Sequence, residues 1–109
     1  MMDRSRVLTL VGITYKTDAS GKYEKDAIGQ LVPIEVPRDV FCNITSVSAS
    51  EFFEAGRAGI RPELRATLFA FDYNGEEIAE LGGVRYGVYR TYLGKGETIE
   101  LYLERKAGV

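Results

Sequence analysis

From Arg6 to Tyr15 the chain alternates: Val7, Thr9, Val11, Ile13 and Tyr15 fall on one side, Leu8 and Leu10 on the other. A period of two marks a strand. The pattern then dissolves over residues 16–33, where Thr17, Asp18, Ser20, Gly21, Lys22, Glu24, Lys25, Asp26 and Gly29 leave only Tyr23, Ile28 and Leu31 as sparse apolar positions. Such a stretch is too long for an idle connector in a compact domain. It packs only where a partner supplies a surface. Alternation resumes over residues 38–47, with Val40, Cys42 and Ile44 on one face and Asn43 and Thr45 on the other. Pro33 and Pro37 restrict the approach, which favours an edge or an extended lead-in.

Ser48 and Glu51 have capping-box spacing: the hydroxyl is placed to accept from the Glu51 amide, while the Glu51 side chain reaches back. Phe52, Phe53 and Ala55 follow, and Gly56 or Gly59 supplies a left-handed stop, so one short helix is predicted over residues 49–58. Residues 64–73 read as a strand apolar on both faces, Leu68 and Ala70 on one and Phe69, Phe71 and Tyr73 on the other. Asn74-Gly75 is a strong two-residue hairpin signal, because both residues tolerate positive φ. The chain returns over 76–81, turns at Gly82-Gly83 and runs out over 84–93 with Val84, Tyr86, Val88 and Tyr92 on one side. It turns again at Gly94-Lys95-Gly96 and closes on 97–105, with Ile99, Leu101 and Leu103 inward and Thr98, Glu100, Tyr102 and Glu104 outward. No internal repeat or low-complexity tract stands out. The pattern predicts an all-β chain: a small β-barrel or sandwich of about six antiparallel strands, with one short helix and a long loop after the first strand.

Length sets the scale. At 109 residues the chain is expected to be one domain, residues 1–109, with an ordinary apolar share of 45%. A chain this short buries a limited fraction of its surface, so help from self-association is expected. The formal charge is −2 and the pI about 5.2, without the basic excess that neutralising phosphates demands. Cys42 is alone and histidine is absent, which leaves no disulfide framework and none of the usual zinc sites. Neither a signal-peptide core nor a membrane-length apolar run is present, so a soluble product is expected.

Candidate chemistry is sparse. General acid–base work needs a group poised near neutrality or two carboxylates in unlike settings. Glu76, Glu77, Glu80, Glu97, Glu100 and Glu104 all fall in turns or on outward strand positions, and Asp72 reads as support for the turn that follows it. Cys42 alternates with Val40 and Ile44 and reads as a small buried hydrophobe. Gly94-Lys95-Gly96 lacks the strand–loop–helix setting of a phosphate loop. Tyr86, Tyr89 and Tyr92, interleaved with Arg85 and Arg90, form a base-stacking platform only if they share a face, and the alternation sets Tyr89 opposite the other two. Neither an enzyme, a cofactor nor a metal is expected. Partners are: the doubly apolar 64–73 strand, the Phe52-Phe53 pair and the 16–33 loop each ask for one.

The blocks Val40-Phe41-Cys42, Ser46-Val47-Ser48, Glu51-Phe52-Phe53-Glu54-Ala55-Gly56, Gly59-Ile60-Arg61-Pro62-Glu63, Phe71-Asp72-Tyr73-Asn74-Gly75-Glu76, Tyr86-Gly87-Val88-Tyr89-Arg90-Thr91-Tyr92 and Ile99-Glu100-Leu101-Tyr102 follow in this order over residues 37–109. In order and spacing they resemble the phage head closure proteins, the head–tail joining or adaptor family. That resemblance implies a small β-barrel assembled as a ring, dodecameric in the virion, at the phage neck. A portal-adaptor protein lies above, a tail-completion protein below, and double-stranded DNA passes through without sequence-specific binding. It implies assembly in the cytoplasm of the bacterial host. It further implies that the loop after the first strand projects into the channel as a DNA plug. Here that loop carries Lys16, Asp18, Gly21, Lys22, Tyr23, Glu24, Lys25, Asp26 and Gly29, and it is expected to be mobile in the free subunit and ordered in the neck. Neck or subunit contacts are implied for Glu51, Phe52, Phe53, Glu54, Arg57 and Tyr89. The alternatives are a tail-completion protein of similar fold, and a small barrel binding single-stranded nucleic acid or oligosaccharide.

Overall fold

A computed structural model describes residues 6–105; the ends of the predicted 1–109 domain lie outside the described residues. Six antiparallel strands close into a barrel: β1 (Arg6–Tyr15), β2 (Pro33–Thr45), β3 (Pro62–Phe69), β4 (Ile78–Leu81), β5 (Val84–Leu93) and β6 (Thr98–Arg105), in the order β1-β2-β3-β6-β5-β4. One helix, α1 (Ala49–Arg57), lies between β2 and β3. The interior is filled by the inward half of each alternation, with Leu8, Leu10, Cys42, Ala66, Leu68, Ala79, Leu101 and Leu103 fully buried around Val40, Tyr86 and Ile99. No polar or charged residue is buried as a whole among the described residues, so the core is held by apolar burial.

The glycine turns follow the sequence closely. Gly82 and Gly83 both have positive φ and join β4 to β5, with Leu81 paired to Val84, the backbone a two-residue hairpin requires. Gly59, at φ 80, ends the helix region. The Asn74-Gly75 hairpin does not form. β3 stops at Phe69, a 3-10 turn occupies Ala70–Asp72, and β3 pairs with β2 and β6 whereas β4 pairs with β1 and β5. Residues 70–77 therefore cross the barrel end. Glu76 organises them: Arg38 donates to its carboxylate at 2.7 Å and to the Asp72 carbonyl at 2.7 Å. The Asn74 amide donates to Glu76 at 2.9 Å, and the Tyr73 hydroxyl donates to the Glu76 carbonyl at 2.7 Å. A charged anchor of this kind outweighs a local turn preference.

β5 departs from simple alternation. Its pairing with β6 shifts between Val88 and Arg90, and the bulge at Tyr89 turns the following residues over. Tyr86 is consequently in the core while Tyr92 is 56% exposed, which corrects the expectation that the two share a face. Tyr102, expected outward, does lie on the outer surface beside Glu100, yet it is buried there under Arg90 and Tyr89.

β2 begins five residues before the predicted start (38 − 33), at Pro33, and pairs with β1 from Arg6↔Cys42 out to Tyr15↔Pro33. The prolines cost no ladder bond. The Lys16 amide donates to the Val32 carbonyl at 2.9 Å; counting back along the register, Tyr15↔Pro33 and Val11↔Pro37 are non-hydrogen-bonded pairs, whose amide positions face away from β1.

Candidate functional site

Beyond the barrel, β1 and β2 have only each other. β4 accompanies β1 at Thr9 to Val11, and β3 accompanies β2 at Asn43 to Thr45. The remainder is a two-stranded ribbon whose Ile13, Tyr15, Ile34 and Val36 are between 41% and 49% exposed. The ribbon stretches the molecule to 48 × 31 × 24 Å with a radius of gyration of 16.1 Å, against roughly 13 Å for a compact chain of this length. Pro33 and Pro37 remove donors from its open β2 edge, a device that discourages edge-to-edge pairing.

The ribbon's tip is not patternless. Asp-Ala-x-Gly occurs at Asp18 and again at Asp26, a short tandem repeat that the hydrophobic pattern hides because both copies are polar. Each copy folds into the same turn. The Asp amide donates to the carbonyl of Lys22 or Gln30 at 2.8 Å, the Gly21 or Gly29 amide donates back to the Asp carbonyl at 3.0 Å, and both glycines sit at φ 85. Asp18 Oδ1 accepts from the amides of Ser20 and Lys22 at 2.9 and 3.1 Å, and from the Ser20 hydroxyl at 2.6 Å. Asp26 Oδ1 accepts from the amides of Ile28 and Gln30 at 3.0 and 2.9 Å. The Ser20 hydroxyl and these amides hold the Asp18 carboxyl below its ordinary range. The bridge Thr17↔Tyr23 closes the first turn and Lys25↔Leu31 closes the second, and the Glu24 amide donates to the Lys16 carbonyl at 2.9 Å. Lys16 pairs with Glu24 at 3.3 Å, and Tyr23 meets Tyr15 edge-on at 6.4 Å. The segment thus has local order of its own. Three lysines (16, 22, 25) balance three carboxylates (18, 24, 26), leaving no net charge.

Two residue pairs that sequence reasoning missed fix the ribbon's root. Arg85 on β5 donates to Glu35 of β2 with Nη1 and Nη2 at 2.8 and 3.0 Å, and to Glu80 of β4 with Nε at 2.9 Å. The Arg85 fork holds the Glu35 carboxyl below its usual range, and the two carboxylates push the Arg85 guanidinium up. On the opposite face of β2, Arg38 makes the Glu76 and Asp72 contacts already described. Only the strand alternation separating position 35 from 38 signals these roles, and it does not name the distant partners.

The helix is held by an ionic and aromatic clamp. Ser48 Oγ accepts from the Glu51 amide at 3.2 Å as the spacing predicts, but the Glu51 carboxylate does not reach back. It accepts instead from the Tyr89 hydroxyl at 2.8 Å and from the Arg90 guanidinium, a charged donor being the stronger partner. The bulge in β5 is what points Tyr89 and Arg90 to the same side. Arg90 lies 4.0 Å over the Tyr102 ring, and Tyr102 donates to Glu100 at 2.7 Å. Burial alone would raise the Glu51 carboxyl, yet the bonds from Arg90 and Tyr89 outweigh it and leave a net lowering. Burial together with the Glu51 charge pushes the Tyr89 phenol up. Ala55 is the helix's buried residue, while Phe52 and Phe53 stand 47% and 67% exposed, edge to face at 5.9 Å. Glu54 and Arg57 form an exposed pair at 3.4 Å. Of the predicted contact residues, Glu51 and Tyr89 are committed internally and Phe52, Phe53, Glu54 and Arg57 face outward. Cys42 is buried, and burial pushes its thiol up to about 11.

Comparison of the chain with protein-family models, with curated proteins and with solved structures finds no match. Among the described residues, no helix is long and apolar enough to cross a membrane.

Proposed function

We propose that this chain is a non-enzymatic structural protein of a tailed-phage neck, forming a ring that closes the DNA-filled head and joins it to the tail. The observation that carries the reading is the ribbon: a small closed barrel that projects a hydrogen-bonded, electrically neutral tip well beyond its own core. A ring of such barrels, dodecameric in the virion, presents its ribbons together in the channel, where they obstruct DNA by bulk. A neutral tip suits a channel through which DNA must later slide, because it offers phosphates no net attraction. The outward Phe52-Phe53 pair on a clamped helix supplies an apolar contact for a neighbouring subunit, the portal-adaptor protein above or the tail-completion protein below. Tyr86 lies in the core and Tyr89 is committed to Glu51 and packed beside Tyr102, so only Tyr92 of the three tyrosines is open, which weighs against the base-stacking alternative.

The ribbon's role is tested by complementation. In a phage or induced prophage carrying the gene, residues 16–32 are replaced by a two-residue Asn-Gly turn and the particles are assayed for tails and for encapsidated DNA. The reading expects tailed particles that lose their DNA. Full retention of DNA by the shortened protein would overturn the plug.

A further inference from the structure

We propose that Glu35 and Arg85 form a releasable latch that ties the ribbon's root to the barrel, with Arg38 as the pivot on the ribbon's other face. The argument starts from strand order. Between Arg85 on β5 and Glu35 on β2 lie β4 and β1, so three strand spacings of about 4.8 Å separate them by roughly 14 Å on a flat sheet. The side chains nevertheless meet through two bonds of 2.8 and 3.0 Å. The ribbon must therefore curl past the end of β4, and it does so where β4 stops at Ile78↔Val11 and Gly12 begins the free stretch. Beside this root, between Gly12, Ile13 and the crossover at Asn74 to Glu77, lies an open cleft of about 370 Å³. The root thus has unfilled space to move in.

The two anchors are unequal in a way that suits a hinge. Arg38 grips Glu76, whose side chain is only 8% exposed, and also the Asp72 carbonyl, so this contact is shielded and fastened to backbone. Glu35 is 48% exposed, and Arg85 keeps Glu80 when Glu35 departs. Release strands no buried charge: water takes up the Glu35 carboxylate, and the guanidinium stays paired. The more exposed carboxylate, Glu35, is reached by salt more readily than the shielded Glu76. The ribbon then swings about Arg38 without loss of the barrel.

The test uses the isolated chain and stands apart from the neck reading, whose failure would leave it untouched. Spin labels are placed at Ile28→Cys on the tip and Lys95→Cys on the β5–β6 turn, both exposed, and the distance distribution is measured by pulsed electron resonance. At low salt the wild-type background is expected to give one narrow distribution. Glu35→Gln is expected to widen it at least about twofold with the melting temperature unchanged. In the wild-type background, about 1 M salt, where the screening length is roughly 3 Å, is expected to do the same. Failure of either arm to widen the distribution overturns the latch.

Discussion

Replacing Glu51 by Gln probes how a helix with one buried residue stays on the barrel. The substitution keeps size and an acceptor oxygen but removes the charge that Arg90 and Tyr89 share. Hydrogen bonds to charged groups contribute about 1.5–3 kcal/mol and neutral ones about 1 kcal/mol. Arg90 is 42% exposed while Glu51 is 14% exposed, so water recovers part of the guanidinium's loss but little of the acceptor's. The net loss is about 1–2 kcal/mol. α1 spans nine residues, too short to persist alone, so the loss should appear first as local opening of the helix. Amide hydrogen exchange is expected to quicken about 5- to 30-fold over Ala49–Arg57, the factor equivalent to that energy, while β6 exchanges as before. A double-mutant cycle with Arg90→Gln should return a coupling of similar size. Unchanged helix protection in Glu51→Gln would refute the clamp and leave Ala55 burial as the anchor.

Leu101→Ala, at a fully buried centre of β6, should cost about 2–5 kcal/mol in denaturant unfolding; a loss under 1 kcal/mol would mean the interior is not packed as described. Gly21→Ala and Gly29→Ala place a side chain at φ 85, costing about 1–2 kcal/mol, and should raise exchange at the tip alone; parallel loss of protection in the barrel strands would contradict a self-contained tip. Glu51 and Glu76 both lie below the ordinary carboxyl value of 4.5, burial being outweighed at each by its arginine. Their contribution is therefore fully present above about pH 4.5 and is lost as pH falls through the lower folded values. The melting temperature should drop between pH 5 and pH 3, roughly, and drop less in Glu51→Gln; identical pH profiles would refute the assignment. Cys42, with its thiol pushed up to about 11 by burial, should resist disulfide reagents at pH 8, roughly, until the chain unfolds; rapid reaction of the native protein would place it at the surface.

The barrel was legible because its interior obeys a period of two: Leu8, Leu10, Leu101 and Leu103 lie where alternation places them. Gly82-Gly83 was legible because two adjacent glycines demand a turn whatever surrounds them. Asn74-Gly75 misled because its backbone preference is local, whereas pairing was decided by Arg38, distant in the chain, binding Glu76. The bulge at Tyr89 leaves no mark in the alternation, and it alone places Tyr89, Arg90 and Tyr92 on one side. The tip's order was missed for a related reason. Hydrophobic periodicity is blind to a repeat of Asp and Gly whose hydrogen bonds are all to neighbouring backbone. The pairs at the ribbon's root, Glu35 with Arg85 and Arg38 with Glu76, join positions that only the closed barrel brings together.

The neck assignment is met most directly by deleting the gene in a phage or inducible prophage that carries it. Particles are then examined by electron microscopy with quantification of packaged DNA. Heads that fill, leak their DNA and fail to join otherwise normal tails are the predicted result. Normal tailed virions that retain their DNA would contradict it, and DNA-filled heads beside malformed tails would move the protein to the tail.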